Sequence, residues 1–185
     1  MEVAELALGE VNLDGDGQAD LTVHGGPDKA VYFYPAEHYA GWRAEEFALS
    51  PGGVGENVSV TGALETEVRV GDRWEWGDAV VEATTPRAPC FKFGMHVRKQ
   101  AIAAMVNSGR CGWYLRVLRV GTVPTSGRLR LVDRHPGAPT IAELFRQSFV
   151  APADLDEDVL RRAIATPALP RGWREGLERK LGRVR

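Results

Sequence analysis

Cys90 stands in the segment TTPRAPCFKFG, residues 84–94, wedged between Pro89 and Phe91. The proline fixes its own φ, so the thiol sits on a stiff stretch of chain. Arg87 and Lys92 flank it, and neighbouring cations favour the thiolate form of a cysteine. A soft thiolate is a suitable ligand for a soft, high-valent metal centre, or a carrier for a transferred sulfur. The other cysteine, Cys111 in SGRCGWYLRV, has no proline clamp. It reads as a small, partly buried residue at the start of a strand. No CxxC pair exists, and two cysteines in 185 residues suggest neither a Cys-rich zinc site nor a disulfide scaffold.

Three other segments invite a chemical reading. In HGGPDKAVYFYP, residues 24–35, Gly25 and Gly26 allow close backbone approach, and His24, Asp28 and Lys29 bring polar groups to one loop. A glycine-rich loop with a lysine can hold an anion. Its spacing matches neither the P-loop nor the dinucleotide fingerprint, so by itself it is equally a structural turn. NLDGDGQADLTV imitates a calcium loop, with Asp14, Asp16 and Gly17 at positions three, five and six from Asn12. Position twelve is Val23, where that loop needs a bidentate glutamate, so the segment reads as a turn. A Ser/His/Asp hydrolase is not supported: GxSxG is absent, and His24, His38, His96 and His135 are scattered among unrelated segments.

The elements that must position these residues are mostly strands. VGENVSV, TEVRVGD, RWEWGDAVVEAT, WYLRVLRVG and RLRLVD carry β-branched and aromatic residues in near alternation. Gly71-Asp72 and Gly77-Asp78 suit hairpin turns. Short strands at this spacing predict a barrel or sandwich in preference to a βαβ fold. Residues 1 to about 35 read as loop-rich, ending in AVYFYP. One helix is expected from about Ala36 to Phe47 and another from about Val97 to Val106, ending near Gly109. After Arg134 the texture changes to three helices. Thr140 and Glu143 form a capping box, and Asp154 or Asp156 caps the next helix. Trp74, Trp76 and Trp113 are read as core residues.

Composition bounds the rest. Hydrophobic residues make up 44% and charged residues 26%, as in soluble globular domains. The net charge of −2 argues against a nucleic-acid binder. Residues 171–185 nevertheless hold six Lys/Arg against Glu175 and Glu178, read as a solvated helix face. No apolar run is long enough for a membrane span and no signal peptide is visible, so a cytoplasmic location is expected.

The order GDGQADLTVHGGPDKAVYFYPAEHY, GGVGENVSV, VRVGDRWEWGDAVVEATTPRAPCFK and CGWYLRVL resembles the MOSC domain, the C-terminal domain of molybdenum-cofactor sulfurase. The branch it resembles is a YiiM-like bacterial one with a three-helix C-terminal domain. The resemblance implies a mostly β, α+β architecture. A MOSC β-barrel-like domain with peripheral helices would span residues 1–133, and a helical domain residues 134–185. It implies a bound molybdenum cofactor, with Cys90 supplying the thiolate to the metal. His24, Gly25, Gly26, Asp28, Lys29, Gly55, Glu56 and Asn57 would line the pocket, and Arg87 and Lys92 would supply charge. It further implies reduction of N-hydroxylated small molecules with electrons from a separate flavoprotein. A Cys90 persulfide carrier and a non-catalytic binding module are the alternatives. Such relatives carry a further stretch before the GDGQAD block, with a first strand and a basic, serine-containing loop that helps bind the cofactor phosphate. The start at MEVAELALGE therefore leads to the expectation that part of the barrel and of the phosphate site is missing. A missing edge strand would invite dimerisation.

Overall fold

The computed structural model describes residues 4–15 and 25–182. Six strands make one curled sheet in the order β3–β2–β6–β5–β4–β8. They are β2 (Val31–Pro35), β3 (Val58–Val60), β4 (Arg73–Trp76), β5 (Ala79–Pro86), β6 (Trp113–Arg119) and β8 (Arg130–Asp133). β1 (Glu5–Leu8) pairs antiparallel with β7 (Gly121–Pro124) in a second, two-stranded sheet. Helices surround this half-barrel, giving the mixed α+β architecture that the sequence predicts.

The Gly77-Asp78 hairpin forms as expected: Trp76 pairs with Ala79 across the two-residue loop. Gly77 has φ +56°, and a Cβ there would lie 2.4 Å from the Thr122 carbonyl oxygen. Gly71-Asp72 makes a turn into β4 instead of a hairpin, because TEVRVGD contributes an isolated bridge between Arg69 and Thr140 in place of a strand. The preference against βαβ units also has one exception. β2, α1 (His38–Ala44) and β3 form a parallel crossover. All five residues of β2 are buried, and an uninterrupted apolar run is the pattern of a strand covered on both faces.

The helix expected at about 97–106 forms as α3 (Lys99–Ser108), and a short helix that was not expected, α2 (Phe91–His96), precedes it. α2 starts straight after Cys90, and α3 ends on Gly109 in the left-handed conformation. Alternating aromatics in FKF imitate a strand, yet one turn of helix buries Phe93 and leaves Phe91 outside. β1 lies in a segment expected to be loop, and the strand it pairs with is distant β7.

β2 and β6 carry most of the site's geometry. Phe33 pairs with Trp113, and Tyr32 with Tyr114. Side chains alternate across a strand, so the Phe33–Trp113 pair and the Tyr32–Tyr114 pair face opposite sides of the sheet. β5 pairs with β6 on its other edge, with register shifts near Ala83–Thr85.

Beyond β8, α4 (Ile141–Phe149) has the full capping box: Thr140 Oγ1 accepts the Glu143 amide, and Glu143 accepts the Thr140 amide. Asp156 caps α5 (Glu157–Ala165), and α6 (Arg171–Leu181) follows. Ile141, Leu144, Phe145, Leu160 and Leu177 belong to the same buried cluster as Phe33 and Trp113. No described helix is long and apolar enough to cross a membrane.

Candidate functional site

β5 ends at Pro86, and four residues later Cys90 opens α2 with an extended backbone, φ −117° and ψ 166°. Its carbonyl accepts the Gly94 amide at 3.2 Å, and its thiol is half-buried. Arg87, only 8% exposed, lies beneath. Its Nη2 is 4.0 Å from Cys90 Sγ and its Nη1 4.0 Å from Met105 Sδ. The guanidinium carbon is 5.3 Å from the ring centroids of both Tyr32 and Phe93. A desolvated cation over ring faces is stabilised by about 2 kcal/mol, so Arg87 holds its position with no carboxylate partner among the described residues.

The Tyr32 and Tyr114 rings are 5.3 Å apart, and Lys29 Nζ is 5.7 Å from the Tyr114 centroid. Burial pushes the Tyr114 phenol above its ordinary range, and the neighbouring Arg87 offsets only part of that. Burial raises Tyr32 further still. Lys29, distant in sequence from Arg87 and Cys90, therefore meets them around one pair of tyrosines.

Lys29 owes its place to the residues beside it. Gly25 and Gly26 have φ of +129° and +89°, a region that side chains resist. They lead into a 3-10 turn, Pro27–Lys29. The Asp28 carboxylate accepts hydrogen bonds from Arg116 Nε at 2.8 Å and Nη2 at 2.5 Å, and the Asp28 carbonyl accepts the Thr84 hydroxyl at 2.7 Å. Arg116 also donates to Glu82 at 2.9 Å and to the Ala168 carbonyl at 3.2 Å. Asp28 thus anchors the loop.

The remaining predicted residues are placed differently. Glu56 Oε1 accepts the Gly52 amide at 2.8 Å, the Ser59 hydroxyl at 2.7 Å, and the Tyr39 hydroxyl. Glu56 Oε2 is buried without a hydrogen-bond partner among the described residues. Asn57 Oδ1 accepts the Tyr32 amide at 2.6 Å, and the Asn57 amide donates to the Tyr32 carbonyl at 3.0 Å. Glu56 and Asn57 brace the edge of β2 away from β6, and Gly55, with φ +82°, makes the turn before them. Lys92 is exposed on α2. His24 lies outside the described residues, as do Asp16, Gly17 and Val23 of the calcium-like segment.

The opposite face of the sheet holds a cleft of about 1180 Å³ floored by Phe33, Trp74, Trp76 and Trp113. The tryptophans are buried, as core residues should be, and also form this floor. Asn57 lines the cleft, whereas Lys29, Arg87 and Cys90 do not. Sequence reasoning missed Tyr32, Tyr114 and Arg116. The alternation in WYLRVL was the available signal, since it puts residues 114 and 116 on one face.

Among the described residues no group of three or more His, Cys, Asp or Glu could hold a metal ion. Cys90 Sγ is the soft donor on this face, with Arg87 beside it and Lys29 at the adjoining Tyr114 ring. The fold and the site together define a class: β half-barrel domains built around one cysteine at a strand-to-helix junction.

The MOSC domain model matches residues 20–129. Protein YiiM of Escherichia coli (strain K12) is 35% identical over 182 residues, which are 95% of this chain and 80% of that protein. Protein YflK of Bacillus subtilis (strain 168) is 38% identical over 180 residues, 94% of this chain and 78% of that one. A protein described as a reductase from Gibberella moniliformis (strain M3125 / FGSC 7600) is 35% identical over 117 residues, 60% of this chain and 21% of its own length. The crystal structure of YiiM from Escherichia coli superposes with a TM-score of 0.82 at 31% identity, covering 98% of this chain and 87% of that one. The chain belongs to the MOSC-domain family and is YiiM-like. MOSC domains as a family are associated with molybdenum-cofactor binding.

Proposed function

We propose that this protein binds a molybdenum cofactor at Cys90 and reduces N-hydroxylated small molecules. The observation that carries the reading is the half-buried Cys90 thiol with the Arg87 guanidinium 4.0 Å away, in a chain of the MOSC family. The fungal relative described as a reductase supports the reductive direction.

When bound, the cofactor would supply the two electrons needed to remove oxygen from an N–OH group. The balanced reaction is R–NHOH plus two electrons and two protons, giving R–NH2 and water. The chain's own residues would do the rest. The Cys90 sulfur is a soft donor suited to molybdenum. The Arg87 guanidinium and the Lys29 ammonium would neutralise the anionic groups of the cofactor, Arg87 from a fixed planar fork and Lys29 from above the Tyr114 ring. Tyr114, raised by burial, keeps its phenol proton on Oη at neutral pH and so remains a hydrogen-bond donor facing the site. Arg116, through Asp28, holds the turn that carries Lys29. The electrons come from a separate flavoprotein donor.

The test is molybdenum per chain in wild type and Cys90→Ala made side by side in a cofactor-proficient host. Near-stoichiometric metal in wild type and little in Cys90→Ala, with unchanged melting, is the expected result. Equal metal in both, or full N-reductase activity in Cys90→Ala, would refute the ligand role.

A further inference from the structure

The segment after Cys90 presents a surface that the proposed chemistry at the thiol does not use. Phe91 is 72% exposed and Met95 69%, while the other exposed large apolar residues lie between 39% and 51%. They stand four residues apart on α2, so they are neighbours on one helix face. The other face of α2 is fixed. Phe93 and Gly94 are buried, and a Cβ on Gly94 would lie 2.6 Å from Ile102 of α3. Phe91 and Met95 therefore cannot turn inward without dislodging α2.

The surroundings of this pair are cationic. Lys92, Arg98 and Lys99 are exposed beside it, and no Asp or Glu occurs between Glu82 and Asp133 in a chain of net charge −2. Arg98 is held rigidly, 4.7 Å over the Phe47 ring and bonded to the Glu46 carbonyl. Glu45 and Glu46 approach from the end of α1, and Glu45 is already paired with Arg110 at 2.6 Å. A rigid apolar pair flanked by exposed cations has the anatomy of a protein-docking patch, with apolar anchors for affinity and charge for steering. Two side chains on a six-residue helix offer too little apolar area to hold a membrane surface.

We propose that this α2–α3 corner is the docking surface for an electron-donor protein with an acidic face. The inference rests on the reading that Cys90 is the site of reduction. Electrons must then enter from outside, and the donor's redox group must come close to that site. The patch begins at the residue next to Cys90. Each turnover consumes two electrons, which two molecules of a one-electron carrier supply while solvent supplies two protons.

The test uses molybdenum-loaded protein and benzamidoxime, which takes two electrons and two protons to give benzamidine and water. Two electron sources are compared: reduced methyl viologen, and flavodoxin hydroquinone as a small acidic carrier. The variant is Met95→Asp with Lys99→Glu. A charge-matched control, Val132→Asp with Arg128→Glu, lies on exposed positions elsewhere. The viologen-driven rate should be the same in all three proteins. The kcat/KM for flavodoxin should fall about tenfold or more in the α2–α3 variant alone, and in wild type it should fall with added salt. Viologen turnover without flavodoxin turnover in wild type overturns the docking surface and leaves the site reading standing. An equal loss in variant and control overturns it too, as does a variant that loses only binding to anionic vesicles. No viologen turnover in loaded wild type removes the reduction reading, and this inference with it.

Discussion

Cys90 and Cys111 lie on either side of the same arginine and have opposite surroundings. Cys111 is fully buried just before β6, and its thiol donates to the Gly112 carbonyl at 3.2 Å. Burial, and after it the nearby Glu65, push that thiol well above its ordinary range. Glu65 is itself held by the Gly112 amide and by His38, each at 2.7 Å. Cys90 lies on the half-open side, with the Arg87 guanidinium 4.0 Å from its sulfur. Arg87 serves both, since its backbone amide donates to the Gly112 carbonyl at 3.4 Å while its side chain reaches Cys90. The contrast shows that a cysteine's chemistry is set by whether its sulfur meets solvent and a cation or apolar packing and a carboxylate.

The largest expected effect is in reactivity. Iodoacetamide on the native protein at pH 8 should modify Cys90 and spare Cys111 by at least about a hundredfold, as read by peptide mass spectrometry. Comparable labelling of both would show that the Cys111 side opens readily and would break the contrast.

Next comes the support on the Cys90 side. Arg116→Ala removes both bonds to Asp28 and leaves the buried Glu82 with Arg73 as its remaining ion pair. It should cost about 2–3 kcal/mol in urea unfolding. Hydrogen exchange should speed up at Asp28 and Lys29 while Cys111 stays protected. Unchanged exchange there would mean that Arg116 does not hold the turn.

Serine replacement sharpens the comparison further. Cys111→Ser places a hydroxyl in the buried site and should lower stability by about 1–2 kcal/mol. Cys90→Ser should stay within about 0.5 kcal/mol. Reversed magnitudes in denaturant titrations would reverse the assignment of packing and chemistry.

The smallest effects lie far from both thiols. Thr140→Ala should cost about 1 kcal/mol through the lost cap of α4 and leave both alkylation rates unchanged. Burial alone would raise the Glu143 carboxyl, but hydrogen bonds from Arg162 and Thr140 outweigh it and hold the carboxyl below its ordinary value. A lowered folded value adds stability above the unfolded carboxylate value, and that contribution disappears as pH falls through the folded one. Glu143→Gln should therefore destabilise by only a few tenths of a kcal/mol at pH 7, since the side chain is 38% exposed. The difference should vanish once the pH has fallen below the lowered folded value.

Much of this was legible along the chain, because the signals are local. The Gly77-Asp78 hairpin, the Thr140–Glu143 capping box and the Asp156 cap depend on residues a few positions apart. So does the end of α3 at Gly109. The four ordered blocks carried the family, and the segment between Pro89 and Phe91 singled out Cys90. β1 was not legible, because its pairing partner lies more than a hundred residues away. α2 was not legible either, since the spacing of Phe91 and Phe93 imitates a strand, which would put both on one face, whereas the short helix buries Phe93 alone.

What only the tertiary structure decided is which polar residues meet. Asp28 and Lys29 are neighbours in sequence, yet one is taken up by Arg116 and the other reaches the Tyr114 ring. Glu56 and Asn57 turn out to brace β2. Local propensity sets where chain elements begin and end. The curl of the sheet, its strand order and the alternation of β2 and β6 set which side chains share a face, and these arise from pairings distant in sequence.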